Sequence, residues 1–182
     1  MSPGLKSEPL PQPESLNGPV TLVDYDPAWP ARYEALAARI RHALGARVIA
    51  RHHAGSTSVP GLAAKPVIDI VLEVADSADE AAYVSALEAA GFAMRVREPG
   101  WFEHRLFRGA PRTNLHVFSA GCEETGRMVA FRDHLRADVS DRSLYEATKR
   151  DLASRTWAKM QDYADAKTEV VTQIMSRALA GP

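Results

Sequence analysis

The 182-residue chain has one cysteine, Cys122, no apolar run approaching the ~18 residues of a membrane span, and almost no surplus of charge, with 22 Lys+Arg against 23 Asp+Glu. A lone thiol cannot close an intramolecular disulfide or build a thiolate metal cluster. This excludes a secreted disulfide scaffold and fits a reducing, cytoplasmic compartment. Without a membrane-length segment, no membrane partner is expected. Balanced charge exerts no long-range pull on a polyanion, so bulk nucleic acid is not an expected partner and any anion site must be local. What the chain does have is 46% hydrophobic residues, patterned over enough length for one buried core.

Five of the 12 prolines, Pro3, Pro9, Pro11, Pro13 and Pro19, fall in a first segment without apolar periodicity. Residues 1–19 therefore read as a mobile tail that cannot offset its ordering entropy, and residues 20–182 as a single domain. The tail lacks the basic start and apolar centre of a secretory signal. Val20 to Val23 is a short strand candidate. Asp26-Pro27 then predicts a helix start, with Trp29, Tyr33, Leu36, Ile40 and Leu44 on one stripe and Gly45 as its end. Val48 to His53 reads as a strand. The loop from Gly55 to Pro66 leads into Val67 to Val74, an almost wholly apolar, β-branched run expected of a strand buried on both faces. Ser77 with Glu80 predicts a capping box, opening a helix that Gly91 closes. Strands follow at Phe92 to Arg97, Trp101 to Arg108 and Arg112 to Phe118. Helical periodicity then marks Met128, Phe131 and Leu135, next Leu144, Thr148 and Leu152, and finally one long helix from Trp157 through Ile174. The fold class is α/β (α+β): a mixed β-sheet flanked by helices, with a helical C-terminal block.

Asp69 stands inside the apolar strand, sharing a face with Val67, Val71 and Glu73. A carboxylate there must be hydrogen-bonded, paired or bound to a metal. It is either a structural Asp satisfied by its surroundings or a metal-holding or general-base group at a cleft. The preceding Gly55-Ser56-Thr57-Ser58 favours the second reading, because a glycine followed by three hydroxyl residues makes a small anion cradle. The turn is not a P-loop, since Pro60 occupies the position of the second glycine, and no dinucleotide-binding glycine fingerprint occurs.

The stretch HHAGSTSVPGLAAKPVIDI, His52 to Ile70, resembles the signature of the GrpB family, a bacterial group placed among polymerase-beta-type nucleotidyltransferase-like proteins. The resemblance extends through Asp24 to Leu36, Arg112 to Phe118, Phe131 to Arg136, Tyr145 to Ala153 and Tyr163 to Val171. It implies a nucleotidyltransferase-like fold and transfer of a nucleotidyl group from an NTP, with a divalent metal (Mg²⁺ or Mn²⁺), to an unidentified small-molecule acceptor. The superfamily pattern is a Gly-Ser turn, matched by Gly55 and Ser56, and a strand with carboxylates at i and i+2, of which Asp69 matches the first. The i, i+2 spacing puts both acids on one strand face, where they can share ions that bridge a triphosphate. Val71 stands at the second position. Glu73 lies ~13 Å from Asp69 along a strand, too far to share its ion. A third acid is missing from the late strand, where His116 could serve as a ligand acceptable to Mn²⁺ or Zn²⁺. Some family members are joined to a dephospho-CoA kinase, so the rival reading is a non-catalytic or accessory module binding a nucleotide or phosphorylated metabolite.

Further candidates follow from charge and geometry. Glu103 could supply the missing acid if its strand neighbours that of Asp69. Arg105, Arg108 and Arg112 could be gathered by a hairpin, where planar bidentate donors suit phosphate. Lys65, Lys149 and Lys167 could reach a triphosphate, and Lys167 interrupts the apolar stripe between Ala164 and Val171. The expected site therefore comprises Asp69, His116 and Glu103 for catalysis, Asp69 and His116 for metal, and Gly55, Ser56, Thr57, Ser58, Lys65, Arg108, Arg112 and Lys167 for phosphate. Five arginines between Arg95 and Arg112, against Glu98 and Glu103, place the expected local positive charge on that hairpin.

Overall fold

The computed structural model describes residues 15–18 and 20–180. In chain order its elements are β1 (Ser15–Gly18), α1 (Trp29–Leu44), β2 (Ala50–Ala54), β3 (Ile68–Val74), α2 (Val84–Ala89), β4 (Phe92–Glu98), β5 (His104–Gly109) and β6 (Thr113–Ser119). Then come α3 (Glu123–Ala137), α4 (Val139–Ala153), β7 (Trp157–Lys159), α5 (Met160–Asp165) and α6 (Thr168–Ala180). Five strands form one mixed sheet in the order β2-β3-β6-β5-β4, with only β3 and β6 parallel. The architecture is mixed α/β, as the sequence pattern indicates. No helix among the described residues is long and apolar enough to cross a membrane.

Strand alternation divides the chemistry. Ile68, Ile70, Leu72 and Val74 of β3 join Leu115 and Val117 of β6 and Phe107 of β5 in the main core. There they bury the stripe of α1, Trp29, Tyr33, Leu36, Ile40 and Leu44. The opposite face carries Asp69, Val71 and Glu73 beside Asn114, His116 and Phe118, and it is covered by the C-terminal helices. Val71 and Phe118 form an apolar cluster there with Ala54, which Met128 of α3 packs against. Both faces of β3 are therefore covered, which accounts for its near-continuous hydrophobicity.

Several local expectations are corrected. Val20 to Val23 forms only an isolated bridge, Val23 to Ala64. Helix α1 begins at Trp29 rather than Pro27, because the Asp26 carboxylate accepts from the Ala28 N–H and holds the preceding turn, while Pro30 fills the first helical turn. The Ser77–Glu80 capping box does not form. Ser77 bonds the Ser119 hydroxyl at 3.1 Å, and Glu80 accepts from Arg97 and Arg105, charge-assisted partners that outcompete a backbone N–H. Strand β5 starts only at His104, since Phe102 and Glu103 turn with positive φ. The long final helix is three elements: β7, α5, capped where Asp162 accepts from the Lys159 N–H, and α6. Strand β7 pairs antiparallel with β1, so residues 15–18 of the expected tail are in a sheet, and residues 1–14 and 19 lie outside the described residues.

Candidate functional site

Asp69 sits near the start of β3, where the register pairs it with Ala54 of β2 on one side and Asn114 of β6 on the other. The chain leaves β2 directly into Gly55, which has φ +66° and packs its Cα against the Asp69 side chain. A Cβ at Gly55 would lie 2.3 Å from Asp69 Oδ2, so only glycine allows the turn to pass. Asn114 Nδ2 donates to Asp69 Oδ1 at 2.9 Å.

A cleft of about 320 Å³ opens over this face, between the sheet and helices α3, α4 and α6. Its polar wall is Ser56, Lys65, Asp69, Asn114, Lys149 and Lys167; Met128, Phe131, Leu135 and Val171 make the apolar wall. Lys149 emerges from the buried face of α4, where Tyr145, Lys149 and Leu152 recur at steps of four and three. Its Nζ donates to Ser56 Oγ at 3.0 Å and to the Ala63 carbonyl, and lies 4.9 Å from the Tyr145 ring centroid. Lys167 Nζ stands 4.6 Å and Lys65 Nζ 5.7 Å from the Tyr163 ring centroid, and Lys65 also contacts Met160 Sδ at 3.2 Å. Burial, reinforced by the neighbouring Lys167 and Lys65, pushes the Lys149 ammonium down to about 7. Burial followed by the charge of Lys65 brings Lys167 to about 8, with Asp69 opposing the fall. Lys65 is also lowered by burial, against the pull of Asp69.

A second line of polar groups reaches Asp69 from the far end of the sheet. Glu98 Oε2 accepts from His104 Nδ1 at 2.7 Å, and His104 Nε2 meets His116 Nδ1 at 3.1 Å. His116 Nε2 then faces Asp69 Oδ1 at 3.9 Å. Burial lowers the pKa of His104, so it is neutral near pH 7. With its Nδ1–H given to Glu98, neutral His104 can only accept at Nε2, so His116 donates from Nδ1 and turns Nε2 toward Asp69. One carboxylate and one imidazole nitrogen are a donor set that suits a single cation of Mn²⁺ or Zn²⁺ character better than a pair of Mg²⁺ ions. The second carboxylate position is closed, because Val71 is buried in apolar surroundings and Glu73 accepts from His52 and the Gly121 N–H. The other cluster of metal-ligand types among the described residues, His134, Asp138 and Asp141, is committed elsewhere, with Arg177 and His134 on the Asp141 carboxylate.

The structure thus brings together Gly55, Ser56, Asp69, Lys65 and Lys167, with His116 beside them. Thr57 also lines the cleft, but its hydroxyl donates to the Val67 carbonyl and accepts from His53 Nε2 at 3.0 Å. Ser58 turns away, with its hydroxyl on the Gly55 carbonyl and its own carbonyl held by Arg136. Glu103 lies outside the cleft, in the turn before β5, where it pairs with Arg105. The expected arginine hairpin is divided by strand alternation. Arg105 turns to the α1 face and pairs with Glu80, while Arg108 and Arg112 do not line the cleft, although their charges reach Lys65. The cleft's positive charge comes instead from Lys65, Lys149 and Lys167, with Arg132 of α3 also on its wall. Asn114, Tyr145, Tyr163 and Phe131 belong to the site without having been singled out by sequence. The expected stripe of Leu144, Thr148 and Leu152 is displaced, because Leu144 is exposed and the buried face of α4 carries Tyr145, Lys149 and Leu152, which turns Lys149 inward.

Comparison with known proteins agrees with this fold. The family model described as GrpB protein matches residues 19–177. A UPF0157 protein of Halalkalibacterium halodurans is 55% identical over 166 residues, covering 90% of this chain and 85% of that protein. The crystal structure of conserved protein GrpB from Enterococcus faecalis is similar with a TM-score of 0.79 and 28% identity, covering 88% of this chain and 98% of that one. A dephospho-CoA kinase of Mycolicibacterium paratuberculosis is 30% identical, covering 82% of this chain but 43% of its own length.

Two outcomes follow from the site's packing. Gly55→Ala places a methyl group against Asp69 Oδ2 at a positive φ, and chemical denaturation is expected to show a loss of about 2–4 kcal/mol. Lys149 has an ordinary pKa when unfolded and about 7 when folded, so between those values the unfolded chain binds more protons and stability rises with pH. Relative to Lys149→Met, the ligand-free protein should gain about 2 kcal/mol between about pH 7 and 9, measured by denaturant titration at each pH.

Proposed function

The chain belongs to the GrpB family, and from that premise we propose that its cleft binds the polyphosphate of a nucleotide and transfers the nucleotidyl group to a small-molecule acceptor. The observation that carries this reading is the convergence of Lys65, Lys149 and Lys167 with Ser56 on one cleft whose wall holds a single carboxylate, Asp69. Buried ammonium groups repelling one another are stabilised by a polyanion, and a bound phosphate raises their pKa values back toward the charged form. Lys149 donates to Ser56 Oγ, which holds that hydroxyl on the cleft wall beside Tyr145. Met128, Phe131, Leu135 and Val171 give the opposite wall an apolar surface for the base or sugar.

Asp69 and His116 are the residues that would hold a divalent cation, whose charge would offset that of the phosphates when bound. In transfer, an acceptor hydroxyl, amine or carboxylate attacks the α-phosphorus in line, and the bond to the pyrophosphate leaving group breaks. The protein's contribution is positioning and charge stabilisation by the lysines. One observation favours a second reading, a nucleotide- or phosphometabolite-binding module without transfer: Val71, buried in an apolar cluster, where a second carboxylate would stand. The similarity to part of a dephospho-CoA kinase is compatible with such an accessory role.

The test is incubation with α-phosphate-labelled NTPs, Mg²⁺ or Mn²⁺ and a pooled acceptor set, alongside direct nucleotide binding. Label transfer that disappears in Asp69→Asn supports transfer. Lys149→Met should weaken nucleotide binding about 10–100-fold, the value of one charge-assisted hydrogen bond. Binding without transfer under both metals selects the second reading, and no binding of any nucleotide overturns both.

A further inference from the structure

A second recess of about 310 Å³ lies on the other side of the Gly55–Ser58 turn, against the free edge of β2. Arg51, Arg132 and Arg136 enter it together with Tyr25, Tyr33 and Glu34. Two of the three guanidinium groups are engaged. Arg132 donates to both oxygens of Asp133 and to the His53 carbonyl, and Arg136 to the Ser58 carbonyl, with its third nitrogen 3.5 Å from Asp133. One carboxylate, Asp133, thus serves two arginines. Arg51 is different: its Nε is buried and has no acceptor among the described residues.

Three guanidinium groups against Asp133 and Glu34 leave one positive charge in excess. His53 adds none, because burial depresses it to about 4. A buried guanidinium N–H without an acceptor is costly, and a planar fork beside further cations is the arrangement that grips an oxyanion. We propose that this recess is a second anion-binding site, in which Arg51 receives the phosphate or carboxylate group of a small molecule and the rings of Tyr25 and Tyr33 flank it. The site is separate from the lysine cleft, although Arg132 lines both, and it stands whether or not the cleft binds a nucleotide.

Arginine modification by phenylglyoxal, mapped by peptide mass spectrometry, tests this directly. The protection of Arg51 is followed with inorganic phosphate and, separately, with acetate, in the intact protein and in a Lys149→Met/Lys167→Met variant. For a site of Kd about 1 mM, about 10 mM of the preferred anion slows Arg51 modification about tenfold, equally in both proteins. The more protective anion identifies the group recognised. An Arg51 rate unchanged by either anion overturns the proposal. Protection present in the intact protein but lost in the lysine variant also overturns it, by placing the anion in the cleft.

Discussion

The contact between Asp69 and the backbone of Gly55 sets the geometry of everything around it. It requires β2 to end where it does, the antiparallel register that brings Ala54 beside Asp69, and a glycine at positive φ to turn the chain before any side chain can intrude. The parallel pairing of β3 with β6 then supplies Asn114 and His116 on the same face. The chain segment between those two strands forms α2, β4 and β5, and the latter pair returns Glu98 and His104 to the far side of His116. Three separate stretches of sequence thereby meet at one carboxylate, and a fourth backs His116 from behind.

Around that fixed centre the electrostatics are uneven. Arg97 and Arg105 of the β4–β5 hairpin neutralise Glu80 and Glu103, and Arg132 and Arg136 of α3 share Asp133. The lysines on the cleft side have carbonyls, hydroxyls, a sulfur and aromatic faces as partners, with Asp69 as the acid on their wall. Ring faces and neutral oxygens partly solvate an ammonium group but do not cancel its charge, so the cleft keeps a positive potential in a molecule whose formal net charge is −1.

Much of this was legible in the sequence wherever a single periodicity governed a segment. The stripe of α1 and the apolar run of β3 each obey one rule, and both are found as expected. The turn at Gly55 and the carboxylate at Asp69 stood out because polar groups interrupt a hydrophobic context. The arginine hairpin misled for the converse reason. Strand alternation places Arg105 and Arg108 on opposite faces, and which face belongs to the cleft depends on sheet order, a long-range property. The helix expected at the C-terminus is longer than the one found because the apolar period runs on through β7 and α5, although the backbone breaks to pair with β1. Ser58 looked like Ser56 in sequence, yet the short turn between them points their hydroxyls to different partners.

The place of Lys149 on α4 has a consequence for how the sequence can change. Tyr145 and Leu152, its neighbours along the helix, face apolar clusters, and a leucine at 149 would continue that face without the penalty of a buried ammonium group. Selection for thermal robustness alone would therefore favour the substitution that removes the cleft's most deeply buried cation. At this position stability and the proposed ligand recognition pull in opposite directions, so replacements drawn only from stability considerations would harden the fold while removing the cation that the proposed binding uses.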